Sequence, residues 1–267
     1  MIFSPARLTR ALKITSQDEL DKTMVASDHI VSAFDAELTG LTSRISEMGG
    51  MAERLVAESI QALARRDVEA ARAIVAQDKQ IDNLQREIDE SAVLTIAKRQ
   101  PMAQDLRTII SAIRISNDLE RVGDLAKNIA RRVIAIEGLS LDPHFIKGIE
   151  HIADLSLVQL KNVLDAFANQ DADMAEAVWH RDDQIDDLYT SLFRELLTYM
   201  MEDPRNITFC THLLFCAKNI ERIGDHATNI AETIIYQATG QTLIDRQTVG
   251  EEVLAEDDDE TDTASSS

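Results

Sequence analysis

Apolar residues recur along this chain with the spacing of helices buried on one face, and the pattern occurs twice. Val56, Ile60 and Leu63 have counterparts in Leu160, Leu164 and Phe167; Ile74, Ile81, Leu84 and Ile88 have theirs in Val178, Ile185, Leu188 and Leu192. Spacings of i, i+3/i+4 and i+7 predict amphipathic helices with one buried stripe each. Asp142-Pro143 and Asp203-Pro204 each put a capping acid ahead of a proline at the first helical position. Asp67 and Asp171 hold equivalent capping places, Pro101 can start a further helix, and Gly138 and Gly240 follow long helical patterns as C-terminal caps. The predicted helices run at roughly 28–65, 67–98, 101–137, 143–169, 171–201 and 204–238. Short connections between long helices make neighbours antiparallel. The expected fold is all-α: two similar three-helix bundles, over 24–139 and 140–240, related by a pseudo-twofold axis.

The duplication is explicit in two motifs. NDLERVGDLAKNIA begins at Asn117 and KNIERIGDHATNIA at Lys218, 101 residues later; they share E-R, G-D, an alanine and N-I-A. Upstream, DKQIDNL from Asp78 is echoed by DDQIDDL from Asp182, 104 residues later. Self-similarity at so long a period marks a repeated structural unit. Two regions lie outside it. Residues 1–23 have no counterpart, and are expected to be either a flexible arm or upstream of a true start at Met24. Residues 241–267 are expected to form an acidic disordered tail, since 251–267 carry eight acids and no base.

Composition agrees with a helical protein: aromatics are 4% and prolines only four, while a hydrophobic fraction of 45% is enough to bury a core. Net charge is −20, or about −12 without the acids of the tail, which argues against nucleic acid and anionic lipid as direct partners. No apolar run approaches the ~18 residues a spanning helix needs, and the first twenty residues contain no signal-peptide core. A soluble, cytoplasmic protein with no membrane insertion is expected. Cys210 and Cys216 are six apart, about 240° around a helix, so they suit neither a shared metal nor a disulfide and read as core thiols.

The candidate chemistry is carboxylate. Four acid-x-x-x-acid pairs occur in register: Asp78/Asp82, Glu120/Asp124, Asp182/Asp186 and Glu221/Asp225. Residues four apart stack on one helix face, where like charges repel by a few tenths of a kcal/mol. Two helices presenting such pairs to each other repel more, and a cation between them removes that cost. Oxygen ligands without sulfur or imidazole suit hard ions: Mg, Ca, Mn or oxidised iron. With 47 acids in 267 residues, such pairs arise by chance roughly eight times, so the information is in their recurrence on the second and third helix of both units. The alternative is a solvated acidic face. Gly123 and Gly224 precede the second acid in each copy, either for close helix packing or to leave room for an ion or another backbone. Asn117, Asn128 and Asn229 continue the polar stripe as ligands or as hydrogen-bonding neighbours. Arg121 and Arg222 are expected in ion pairs. His226 lies beside Asp225, but its counterpart is Leu125, so it is not a duplicated ligand. Trp179 lies on a buried stripe.

LERVGDLAKNIA and IERIGDHATNIAE resemble the signature of the PhoU family, accessory and regulatory proteins of bacterial high-affinity phosphate uptake. DHIVSAFDAELTGL from Asp28 is similar to that family's usual beginning, and the resemblance covers about 25–240. It implies two three-helix bundles, a cytoplasmic homodimer, and an adaptor between the phosphate ABC transporter's ATPase subunit and a phosphate-sensing histidine kinase, repressing the starvation response when phosphate is plentiful. It also implies metal on the acid motifs, a divalent or trivalent cation such as Mg, Mn or Fe. The primary ligands would be Glu120, Asp124, Glu221 and Asp225, with Asp78, Asp82, Asp182 and Asp186 opposite them. A carboxylate-bridged di-metal enzyme would add Glu-x-x-His motifs, and none occurs in the chain. A metal or phosphate buffer without protein partners is the remaining alternative; no enzyme is expected.

Overall fold

The computed structural model describes residues 5–139, 143–181 and 183–241, with α1 side chains described from Ser32 onward. α1 spans Pro5–Arg65, α2 Val68–Arg99, α3 Gln104–Ala135, α4 Pro143–Asn169, α5 Ala172–Trp179, α6 Asp183–Glu202 and α7 Ile207–Thr239, with a 3-10 turn at Pro204–Asn206. No strand occurs among the described residues. α1, α2 and α3 pack together as the first bundle, and α4, the α5–α6 pair and α7 as the second. The bundles meet through counterparts, α1 on α4 and α3 on α7, which is the pairing a pseudo-twofold relation produces.

Local chemistry sets most of the boundaries. The Asp67 carboxylate accepts from Ala70 N at 2.9 Å and Asp171 from Met174 N at 2.9 Å, capping α2 and α5; each such cap is worth about 1 kcal/mol. Gly240 sits at φ 75° and donates its N–H to Tyr236 O at 2.8 Å, closing α7 as a left-handed cap that favours glycine. Asp203 accepts from Arg205 N at 2.9 Å with Pro204 behind it, but it starts the 3-10 turn rather than the long helix. Asp142 and the tail from residue 242 lie outside the described residues.

Three expectations need correction. The helix expected over 28–65 begins at Pro5, so the backbone of 5–27 continues α1. Pro101 does not start α3; Gln100 takes a left-handed conformation to cap α2, and Ala103, at φ 48°, precedes a helix that begins at Gln104. The single helix expected over 171–201 is two. At the end of α5 the His180 N–H is shared between Glu176 O and Val178 O and Arg181 N–H turns to Val178 O, tightening the backbone out of α-helical bonding. Val178 and Ile185 are nonetheless both buried, so the apolar stripe passes the break in phase and spacing alone does not reveal it.

The core is aliphatic and shared by both bundles. Ile115, Leu119, Val122 and Ile129 of α3 and Ile220, Ile223 and Ile230 of α7 are fully buried. Gly49 of α1 faces the Leu164 side chain so closely that a Cβ there would collide with it, which keeps α1 and α4 close. Cys210 and Cys216 are free and buried; burial pushes both thiols up, Cys216 to about 12. Trp179 is half-buried against the core and donates its indole N–H to Glu232 Oε1 at 3.1 Å.

Candidate metal centre

α2 and α3 carry the acids of the first half, and α6 and α7 those described in the second. The motif glycines bring them together. A Cβ on Gly123 would stand 2.8 Å from Ile81 Cδ1, and one on Gly224 would stand 3.1 Å from Ile185 Cδ1 and 3.2 Å from Gln159 Oε1. Ile81 precedes Asp82 and Gly123 precedes Asp124. Packing of the isoleucine on the glycine therefore draws the two helices, and with them the second acid of each pair, close together. Of the two roles open to these glycines, the geometry shows close packing.

In the first half the cluster already contains a cation. Lys127 Nζ lies 2.5 Å from Asp78 Oδ2 on α2 and 2.5 Å from Asp124 Oδ1 on α3. Burial alone would lower the Lys127 pKa, but hydrogen bonds to Asp124 and Asp78 outweigh it and leave it raised. Asp78 is 4% exposed, and its Oδ1 is buried with no hydrogen-bond partner among the described residues. Burial, then repulsion from Asp78, raises the Asp82 pKa against the opposing pull of Lys127. Glu120 is raised by burial and by Asp124, with Arg121 opposing. Arg121 forms the expected ion pairs, at 3.4 Å to Glu120 and 3.5 Å to Asp124.

The second half is arranged differently. Asp186, Glu221 and Asp225 each offer one carboxylate oxygen, all within 4.8 Å of one another, the single such trio among the described residues. Asp182 lies outside the described residues. Glu221 is only 8% exposed: Oε1 accepts from Lys218 Nζ at 2.5 Å, while Oε2 is buried with no hydrogen-bond partner among the described residues. At the place of Lys127 stands Thr228, whose hydroxyl donates to Gly224 O at 3.2 Å and accepts from Gln159 Nε2 at 3.1 Å. Gln159 itself is buried where the first half has Leu55.

These donors fit a hard cation. At metal–oxygen distances of about 2.0–2.6 Å, one ion reaches oxygens roughly 4–5 Å apart, the spread of the second trio. The unpartnered Glu221 oxygen is an acceptor that such an ion would satisfy, and no sulfur or imidazole competes for softer metals. Glu221, Asp225 and Asp186 would hold it there; Glu120, Asp124, Asp78 and Asp82 form the matching set in the first half.

Other candidates have structural partners. His226 Nδ1 lies 2.9 Å from Asp118 Oδ1 on α3, tying the two halves together. Asn117 donates to Ile113 O at 2.9 Å and accepts from Gln85 Nε2 at 2.6 Å, and Asn128 accepts from Arg131 at 3.4 Å, so both act as hydrogen-bonding neighbours. The residues not anticipated from sequence are Lys127, Lys218 and Gln159. Their signal was available as mismatch: Lys127 against Thr228, Asn117 against Lys218 and Leu55 against Gln159 are places where the repeats differ in polarity.

Comparison with known proteins matches the PhoU domain twice, at residues 45–133 and 149–234. The phosphate-specific transport system accessory protein PhoU homolog of Rhizobium meliloti (strain 1021) is 62% identical over 212 residues, 79% of this chain and 90% of that protein. The homolog of Caulobacter vibrioides (strain NA1000 / CB15N) is 50% identical over 217 residues, 81% and 94% of the two chains. The crystal structure of PhoU from Pseudomonas aeruginosa superposes with a TM-score of 0.76 at 41% identity, covering 78% of this chain and 100% of that one. The phosphate transport system regulatory protein PhoU from Streptococcus pneumoniae does so with a TM-score of 0.73 at 30% identity, covering 79% and 99%.

Proposed function

The chain belongs to the PhoU family, and on that premise we propose that it is an accessory protein of phosphate transport acting as a metal-binding, non-enzymatic adaptor. In this reading it works in the cytoplasm as a homodimer. It docks on the ATPase subunit of the phosphate ABC transporter and on a phosphate-sensing histidine kinase, damping uptake and repressing the starvation response when phosphate is plentiful. The names of its relatives support the transport setting. Among the described residues no helix is long and apolar enough to cross a membrane.

One observation carries the metal-binding part: Glu221 holds a buried carboxylate oxygen without a hydrogen-bond partner among the described residues, and it offers a carboxylate oxygen within 4.8 Å of oxygens of Asp186 and Asp225. The ion is a divalent or trivalent cation of the Mg, Mn or Fe kind, bound by oxygens alone. Its part is structural, neutralising repelling carboxylates on adjacent helices and so setting the surface that the bundle presents.

The test is a Glu120→Ala/Asp124→Ala/Glu221→Ala/Asp225→Ala variant, expressed in the native host at normal abundance. Derepression of a phosphate-starvation reporter in high phosphate, together with loss of bound metal by elemental analysis, is the expected result. Full repression by a folded, metal-free variant would remove metal from the mechanism. Full repression even when the protein is deleted would favour a buffering protein instead.

A further inference from the structure

We propose that Lys127 is a resident ammonium occupying the cation position of the first acid cluster, so that a multivalent cation is taken up first, and far more tightly, at the second. The inference rests on the metal-binding reading above and adds that the two halves, alike in fold, are unequal in loading.

The two lysines near the clusters differ in kind. Lys127 bridges two helices, with Nζ 2.5 Å from acids on both α2 and α3, and its side chain is 16% exposed. It stands where an ion joining Asp78 to Asp124 would stand, and an ammonium and a metal ion cannot share that place. Lys218 pairs with Glu221, three residues along its own helix, and its side chain is 46% exposed. With its lysine half-exposed and on the same helix, this pair exchanges with water more readily than the enclosed Lys127 bridge. Lys218 can leave Glu221 for solvent, and the Tyr189 ring, 5.3 Å from its Nζ, offers it a second neighbour.

At the equivalent position of the second half a threonine replaces the lysine. Thr228 is neutral, and its hydroxyl is engaged by Gly224 O and Gln159 Nε2. Each cluster also has a buried carboxylate oxygen without a hydrogen-bond partner among the described residues, Asp78 Oδ1 and Glu221 Oε2. Each therefore keeps a buried acceptor for added positive charge, and the first also holds a lysine between its helices where the second has the neutral Thr228.

The experiment compares four full-length, metal-stripped proteins: wild type, Glu221→Gln/Asp225→Gln, Lys127→Thr, and the combination of all three changes. Each is titrated with Mn²⁺ alone and read by calorimetry and by elemental analysis after gel filtration. Wild type is expected to bind Mn²⁺ tightly and to lose that uptake in Glu221→Gln/Asp225→Gln. Lys127→Thr gains a second class of sites at least tenfold tighter than any residual first-cluster binding in wild type, and the triple variant retains it. The metal-free melting temperature of Lys127→Thr falls and Mn²⁺ restores it; Lys127→Gln, closer in length, serves if the threonine variant does not fold.

Tight uptake that survives Glu221→Gln/Asp225→Gln with Lys127 in place would overturn the inference, because the first cluster would load despite its lysine. So would a folded Lys127 variant that binds Mn²⁺ at the second cluster but gains nothing. Absence of Mn²⁺ from all four proteins would overturn the metal-binding reading itself, a result distinct from either of these.

Discussion

The first and second halves of this protein share a bundle plan, glycine notches and register of acids, and they surround those acids with different chemistry. Where α2 meets α3, a lysine joins two carboxylates across the helices. Where α6 meets α7, a neutral threonine–glutamine pair lies beside three carboxylates whose oxygens converge within 4.8 Å. α2 runs unbroken through Asp78, whereas its counterpart is split into α5 and α6. Duplication thus preserved the frame, which depends on apolar spacing, while the polar positions inside it diverged. A buried charge needs a specific partner, and one substitution changes which partner is there.

The largest expected effect breaks the comparison at Lys127. In metal-free protein, Lys127→Met leaves Asp78 buried without its cation and should cost about 3–5 kcal/mol. Thr228→Val in the other half removes a neutral hydrogen bond and should cost about 1–2 kcal/mol. Urea unfolding of both variants measures the difference; equal losses would mean that Lys127 is not holding a buried charge.

The glycine notches come next. Gly123→Ala puts a Cβ 2.8 Å from Ile81 Cδ1, while Gly224→Ala meets Ile185 and Gln159 at 3.1 and 3.2 Å. Overpacking costs typically about 1–3 kcal/mol, offset by about 1 kcal/mol of helix propensity gained from alanine. Gly123→Ala should therefore destabilise by roughly 0–2 kcal/mol and Gly224→Ala by less. The reverse order by thermal unfolding would place the tighter notch in the second half.

A smaller effect is read in pH. Asp82 and Glu120 are raised above their ordinary values of 3.8 and 4.5, burial being the main cause in both. The native state therefore holds those protons more tightly than the unfolded chain. Their stabilising contribution is complete below the ordinary values and is lost as pH rises through the raised ones. Metal-free stability should decline as pH climbs out of the carboxylate range, and Asp82→Asn/Glu120→Gln should flatten the decline. Denaturant midpoints between roughly pH 4 and 7 test this, and an unchanged slope in the variant would assign the titration elsewhere.

The smallest effect concerns Cys210 and Cys216, which stand where the first half has Ile109 and Ile115. Both are buried with raised thiols, so a thiol reagent at neutral pH should label neither in the native protein and both in urea. Native labelling of either would show that the second bundle opens where the first does not.

How much of this was readable beforehand follows from what each signal depends on. The stripes through Val56 and Leu160 and the caps at Asp67 and Asp171 are local, set by spacing and by a side chain reaching its own backbone, and they appear where expected. The break after Trp179 was hidden because the buried stripe stays in phase across it. The recurring acid pairs marked the right helices, but not which acids lie together or what lies between them. His226, adjacent in sequence to Asp225, reaches instead across to Asp118 of the other half.

The sequence by itself determined an all-α chain of two repeated bundles, with acids in register on matching helices, because helical periodicity and internal repetition are properties of the linear order. Only the tertiary structure decided that Lys127 spans α2 and α3, that Glu221 keeps a buried oxygen without a partner among the described residues, and that Thr228 pairs with Gln159 instead. Those facts depend on how closely two helices approach and on which side chain fills the gap. That approach is set by isoleucine packed on glycine across the helices, between residues about forty apart in the chain.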